Sequence, residues 1–92
     1  MAESSEVLDR IVTVGSKSGL HARPAAIIVQ RAKEFQSRIT FSKGEKTVNA
    51  KSILSVLTLG AEQGDQIQVT ISGSDAASGM DALVALLEKD LG

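Results

Sequence analysis

The chain has no cysteine, no tryptophan and no tyrosine, a single histidine, a single proline and two phenylalanines. Without cysteine there is no disulfide framework, no thiolate metal site and no thiol catalysis. With one histidine, His21, a metal site would have to be completed by carboxylates alone, so none is expected. Phe35 and Phe41 are too few to stack bases on an aromatic platform. Ten basic residues against 11 acidic ones leave a formal net charge of -1, with no general pull toward nucleic acid or an anionic membrane. No apolar run approaches the length of a membrane span. The opening stretch MAESSEV carries neither the basic nor the apolar region of a signal peptide, so a cytoplasmic location is expected. Neither cofactor, nucleic-acid partner nor membrane partner is expected.

What is present fits one small domain over residues 1–92, with a limited core. Residues 1–6 are polar and expected to be flexible. LDRIVTV, residues 8–14, is β-branched and reads as a strand. GSKSG, residues 15–19, is a loop. A helix is then expected with Pro24 as its first residue, because a proline there forfeits no helical hydrogen bond. Apolar residues follow at the helical period: Ala25, Ile28, Val29, Ala32 and Phe35. RITFS (38–42) and TVNA (47–50) read as a hairpin around the turn 43–46. SILSVLTLG (52–60) opens on Ser52, a good N-cap type, and closes on Gly60, a good C-cap type. QIQVTIS (66–72) alternates cleanly and reads as a strand. Gly73-Ser74-Asp75 introduces a last helix with the stripe Met80, Leu83, Val84, Leu87, Leu91. The order βαββαβα, with strands apolar on one face only, predicts an α+β fold: three helices on one face of a four-stranded, mostly antiparallel sheet.

The functional interest lies in SGLHARPAA, residues 18–26. A helix N-terminus leaves N–H groups without intrahelical acceptors and is the positive end of the dipole. His21 stands just before it. Arg23 adds a planar set of charged donors suited to phosphate. Ala25 and Ala26 leave the first turn uncrowded, and Gly19 lets the preceding loop bend. The result is a seat for an anion beside an imidazole, whose neutral nitrogen is a nucleophile. On chemistry alone, a phosphohistidine site and a simple anion-binding site are both open.

GLHARPAA resembles the active-site signature of HPr, the family of histidine-containing phosphocarriers of the bacterial phosphoenolpyruvate-dependent sugar phosphotransferase system. VNAKSILSVLTLGAEQGDQIQVTISG is similar to a second block of that family, and the likeness runs from about Ile11 to Leu91. The resemblance implies an open-faced β-sandwich and a phosphoryl carrier rather than a stand-alone enzyme. It implies that Nδ1 of His21 accepts the phosphoryl group, that Arg23 assists transfer, and that the N–H groups of Ala22 and Arg23 face the phosphate. The donor would be phosphorylated enzyme I and the acceptors enzyme IIA domains. No magnesium is needed at the carrier, and no carboxylate cluster lies near His21 in the sequence.

Ser52 matches the serine that HPr kinase/phosphorylase modifies in some bacteria, although an N-cap role alone would explain it. Val56 and Leu59 are expected in the core, which leaves Ile53, Leu54 and Leu57, extended by Leu20, as a docking patch. Arg31, Lys33 and Lys51 would add a positive rim. The alternative is a regulatory paralogue: a nitrogen-type phosphocarrier, or a module that acts through phospho-Ser52 on a transcriptional regulator. The known paralogue of the latter kind lacks the histidine present here at position 21. A monomer is expected of a carrier that moves between partners.

Overall fold

A computed structural model describes residues 6–92. The chain runs β1 (Glu6–Thr13), α1 (Ala22–Ala32), β2 (Arg38–Lys43), β3 (Lys46–Asn49), α2 (Ile53–Thr58), β4 (Gln66–Gly73) and α3 (Ala76–Glu88). The strands form one sheet in the order β1-β4-β2-β3. Every neighbouring pair is antiparallel.

The period-two alternation sets the register. Val12 lies opposite Ile67, Ile71 opposite Ile39, and Phe41 opposite both Val69 and Val48. All of these are buried and point to the same side. The other side carries Asp9, Gln68, Thr70, Ser42 and Thr47, which bond among themselves: Thr70 Oγ1 donates to Asp9 Oδ1 at 2.7 Å, and the hydroxyls of Ser42 and Thr47 lie 2.8 Å apart. The helices cover only the apolar side. They contribute Ala25, Ile28, Val29 and Ala32 from α1, Val56 from α2, and Ala76, Met80, Leu83 and Leu87 from α3. The fold is the expected open-faced α+β sandwich.

Several boundaries differ from the expectation. The flexibility expected of residues 1–5 lies outside the described residues, while Glu6 already pairs with Gly73 as the first residue of β1. Pro24 is the third residue of α1, not the first. A proline costs no hydrogen bond anywhere in the first turn, so its presence there limits the helix start without fixing it. In α3, Val84 is only half-buried, and Leu91 packs on the core from beyond the helix end.

Candidate functional site

His21 occupies the N-cap of α1, with extended torsions (φ −116°, ψ 169°) and a carbonyl that accepts the Ala25 N–H at 3.1 Å. No side chain among the described residues caps this helix, and its first turn contains no acidic residue. Pro24 has no N–H to offer. The remaining donors of the turn are the N–H groups of Ala22 and Arg23, and no group among the described residues accepts them. Ala22 has a φ of 24°, outside the range that residues with a side chain favour. Arg23 is exposed, and its guanidinium has no carboxylate partner among the described residues. The start of α1 therefore combines the positive end of the helix dipole, two N–H groups without an acceptor among the described residues and the Arg23 guanidinium, a chemistry that suits an anion.

The loop that delivers His21 is tied down at each step. The Gly15 N–H donates to the Leu87 carbonyl at 2.8 Å. Ser16, buried, accepts the Leu91 N–H at 3.0 Å and donates to the Lys89 carbonyl at 3.2 Å. The Lys17 N–H donates to Asp90 Oδ1 at 3.1 Å. That bond, with a second from the Gly92 N–H, holds the Asp90 carboxyl below the usual aspartate value. Gly19 has a φ of 75° and lies so close to the 61–62 segment that a Cβ would sit 2.5 Å from the Ala61 carbonyl oxygen. Only glycine satisfies both demands.

Leu20 then donates its N–H to that Ala61 carbonyl at 2.9 Å and is itself fully buried. It belongs to the core and not to the docking patch expected of it. The reason is its position between Gly19 and His21, where the loop turns inward to anchor the site.

The fold also brings in a residue that sequence reasoning missed. Glu62 Oε2 lies 3.0 Å from His21 Nε2, although the two are 41 positions apart. Glu62 is held by its own turn: its N–H donates to Asp65 Oδ2 at 2.8 Å, and its carbonyl accepts the Asp65 N–H at 3.0 Å. No local motif announces this contact.

At α2, Ser52 is the N-cap, as expected, with its hydroxyl accepting the Ser55 N–H at 3.4 Å, a long bond. Val56 and Leu59 are buried. Leu54 is 73% exposed and Ile53 39%, whereas Leu57 packs partly on the core. The exposed apolar pair is thus Ile53 and Leu54, with Leu57 at its edge. The expected basic rim is reduced too. Lys51 Nζ donates to the Phe35 carbonyl at 2.6 Å, and Arg31 pairs with Glu34 and lies over the Phe35 ring. Lys33 stays exposed.

A family model described as the PTS HPr component phosphorylation site matches residues 8–89. The chain is 46% identical to the phosphocarrier protein HPr of Xylella fastidiosa over 82 residues, which is 89% of this chain and 92% of that one. It is 42% identical to the HPr-like protein Crh of Halalkalibacterium halodurans over 84 residues, 91% of this chain and all of the relative. The solved phosphocarrier protein HPr from Bacillus anthracis superposes with a TM-score of 0.86 at 43% identity, covering 88% of this chain and 96% of that one. An HPr dimer from Thermoanaerobacter tengcongensis superposes with a TM-score of 0.74, also at 43% identity, over 88% of this chain and 93% of its own.

Proposed function

The chain belongs to the HPr phosphocarrier family of the phosphotransferase system, and from that premise we propose that it carries a phosphoryl group on Nδ1 of His21. The group is taken from phosphorylated enzyme I and passed to enzyme IIA domains for sugar uptake. The observation that carries this reading is the open end of α1: a histidine at the N-cap, the N–H groups of Ala22 and Arg23 without an acceptor among the described residues, and the Arg23 side chain. As the imidazole takes the phosphoryl group, negative charge arrives where these donors already point. They are few enough to let it leave again. The carrier works as a cytoplasmic monomer, and its partners dock on the exposed apolar pair Ile53 and Leu54.

The test is intact-mass measurement after incubation with phosphoenolpyruvate, magnesium and enzyme I. One acid-labile, alkali-stable phosphoryl group is expected, absent in His21→Ala. Arg23→Ala should slow its acquisition by roughly ten- to a hundredfold, the scale of a charge-assisted hydrogen bond. The similarity to the HPr-like protein Crh supports a second reading, in which phospho-Ser52 acts as a regulatory signal. A protein that several enzymes I leave unmodified would belong to that second class.

A further inference from the structure

We propose that Glu62 is a positioning residue for phosphoryl transfer, holding the imidazole proton on Nε2 so that the lone pair of His21 stays on Nδ1. The inference rests on the carrier reading above. It assigns a role to a side chain outside the GLHARPAA stretch.

An exposed carboxylate–imidazole contact alone would mean little, because such pairs contribute almost nothing when both side chains are free to wander. Here the backbones beneath them are not free. His21 follows Leu20 and Glu62 follows Ala61, and Leu20 and Ala61 are both fully buried and joined by the 2.9 Å Leu20 N–H to Ala61 carbonyl bond. The Asp65 turn clamps Glu62 from the other side. Two side chains thus leave one fixed joint and meet at 3.0 Å. A carboxylate can only accept, so the nitrogen that faces it must be the donor. The bond made by one ring nitrogen decides the role of the other. Nε2 donates, and Nδ1 presents a lone pair.

The Nδ1 lone pair attacks phosphorus. The Nδ1–P bond forms as the bond from phosphorus to the donor enzyme breaks, and that electron pair leaves with the donor. The proton remains on Nε2, so the phosphorylated ring is cationic, and the Glu62 carboxylate lies against that charge. In onward transfer the Nδ1–P bond breaks, its electron pair returns to Nδ1, and a neutral imidazole with its proton on Nε2 is the leaving group. Glu62 therefore serves both directions without touching the phosphoryl group.

The test compares Glu62→Ala and Glu62→Gln with the parent protein. Nitrogen-15 NMR of the unphosphorylated protein should show a slowly exchanging Nε2–H in the parent and in Glu62→Gln, whose amide oxygen still accepts, and none in Glu62→Ala. Phosphorylation by enzyme I should slow by about three- to tenfold in Glu62→Ala, the worth of one net hydrogen bond. The loss should fall on kcat with KM for the donor unchanged, and Glu62→Gln should recover part of it. An unprotected Nε2–H or a proton on Nδ1 in the parent, or a Glu62→Ala protein that reacts as fast or faster, would overturn the proposal. The NMR arm needs no phosphoryl transfer. If the parent protein takes up no phosphoryl group, the carrier reading fails, and the Nε2–H signal still decides the pairing by itself.

Discussion

The three helices among the described residues begin in three different ways. At α2 the hydroxyl of Ser52 turns back and bonds the Ser55 N–H of its own first turn. At α3 the N-cap residue Asp75 does not cap at all. Its carboxylate reaches across to the loop between α1 and β2, accepting the Gln36 N–H at 2.9 Å, the Ser37 N–H at 2.9 Å and the Ser37 hydroxyl at 2.5 Å. At α1 no side chain among the described residues caps the end. Ser52 and Asp75 spend their side chains on bonds that hold the fold, one within its helix and one across to a neighbouring loop, whereas the first turn of α1 is left with neither a capping side chain nor an acidic residue among the described residues. A helix end satisfied from within the chain cannot take cargo, and an open one gives up its cap stabilisation to remain available.

The most direct way to break this contrast is to close α1. His21 already has the extended torsions of a capping residue, so His21→Ser should let a hydroxyl bond the first turn. Phosphoryl uptake should vanish, while urea unfolding should show a gain of about 1 kcal/mol. A loss of stability would mean that the histidine contributes more to the fold than its open end suggests.

The next test concerns Asp75. The Ser37 hydroxyl, and then the Gln36 N–H, hold its carboxyl below the ordinary aspartate value of 3.8. A carboxyl whose folded value is lowered contributes its full stability above 3.8 and loses it as pH falls through the folded value. Acid unfolding below pH 3.8 should therefore flatten in Asp75→Asn, with a lower midpoint at neutral pH and phosphoryl uptake intact. An unchanged acid limb would remove Asp75 from the comparison.

The smallest effect on stability is expected at Ser52. Ser52→Ala should cost about 0.5 kcal/mol, at the low end for a cap because the bond is long. Ser52→Asp keeps an N-cap acceptor and should keep the stability, yet slow His21 phosphorylation by enzyme I several-fold, since it sets a charge beside Ile53 and Leu54. A rate equal to that of the parent would sever Ser52 from docking.

These contrasts also mark what the sequence could reveal. Strand alternation in QIQVTIS and the Ser52-to-Gly60 frame are local patterns, and β4 and α2 appear where those patterns lie. GLHARPAA announced the seat because histidine, arginine and the helix start are neighbours in the chain. Asp75 reads in the sequence only as part of a helix opening, and Glu62 not at all, because their partners lie 38 to 41 positions away and no periodicity links them. Leu20 was misread for a related reason. A lone apolar residue in a polar loop looks like surface until the Ala61 carbonyl is known to draw it inward.

The sheet order has a consequence for the life of the chain before it is finished. β4 lies between β1 and β2, so Glu6 waits for Gly73 and Arg38 waits for Ser72. During synthesis the first 65 residues lack β4, the strand that joins β1 to β2, and pairings this distant make for slow, late closure. The loop carrying His21 waits longer, because it is fastened to Ala61, Leu87 and Leu91. A ribosome-bound or truncated chain can form the hairpin of β2 and β3, but it has no assembled seat. The site doubles as a report that the chain has folded through to its last turns.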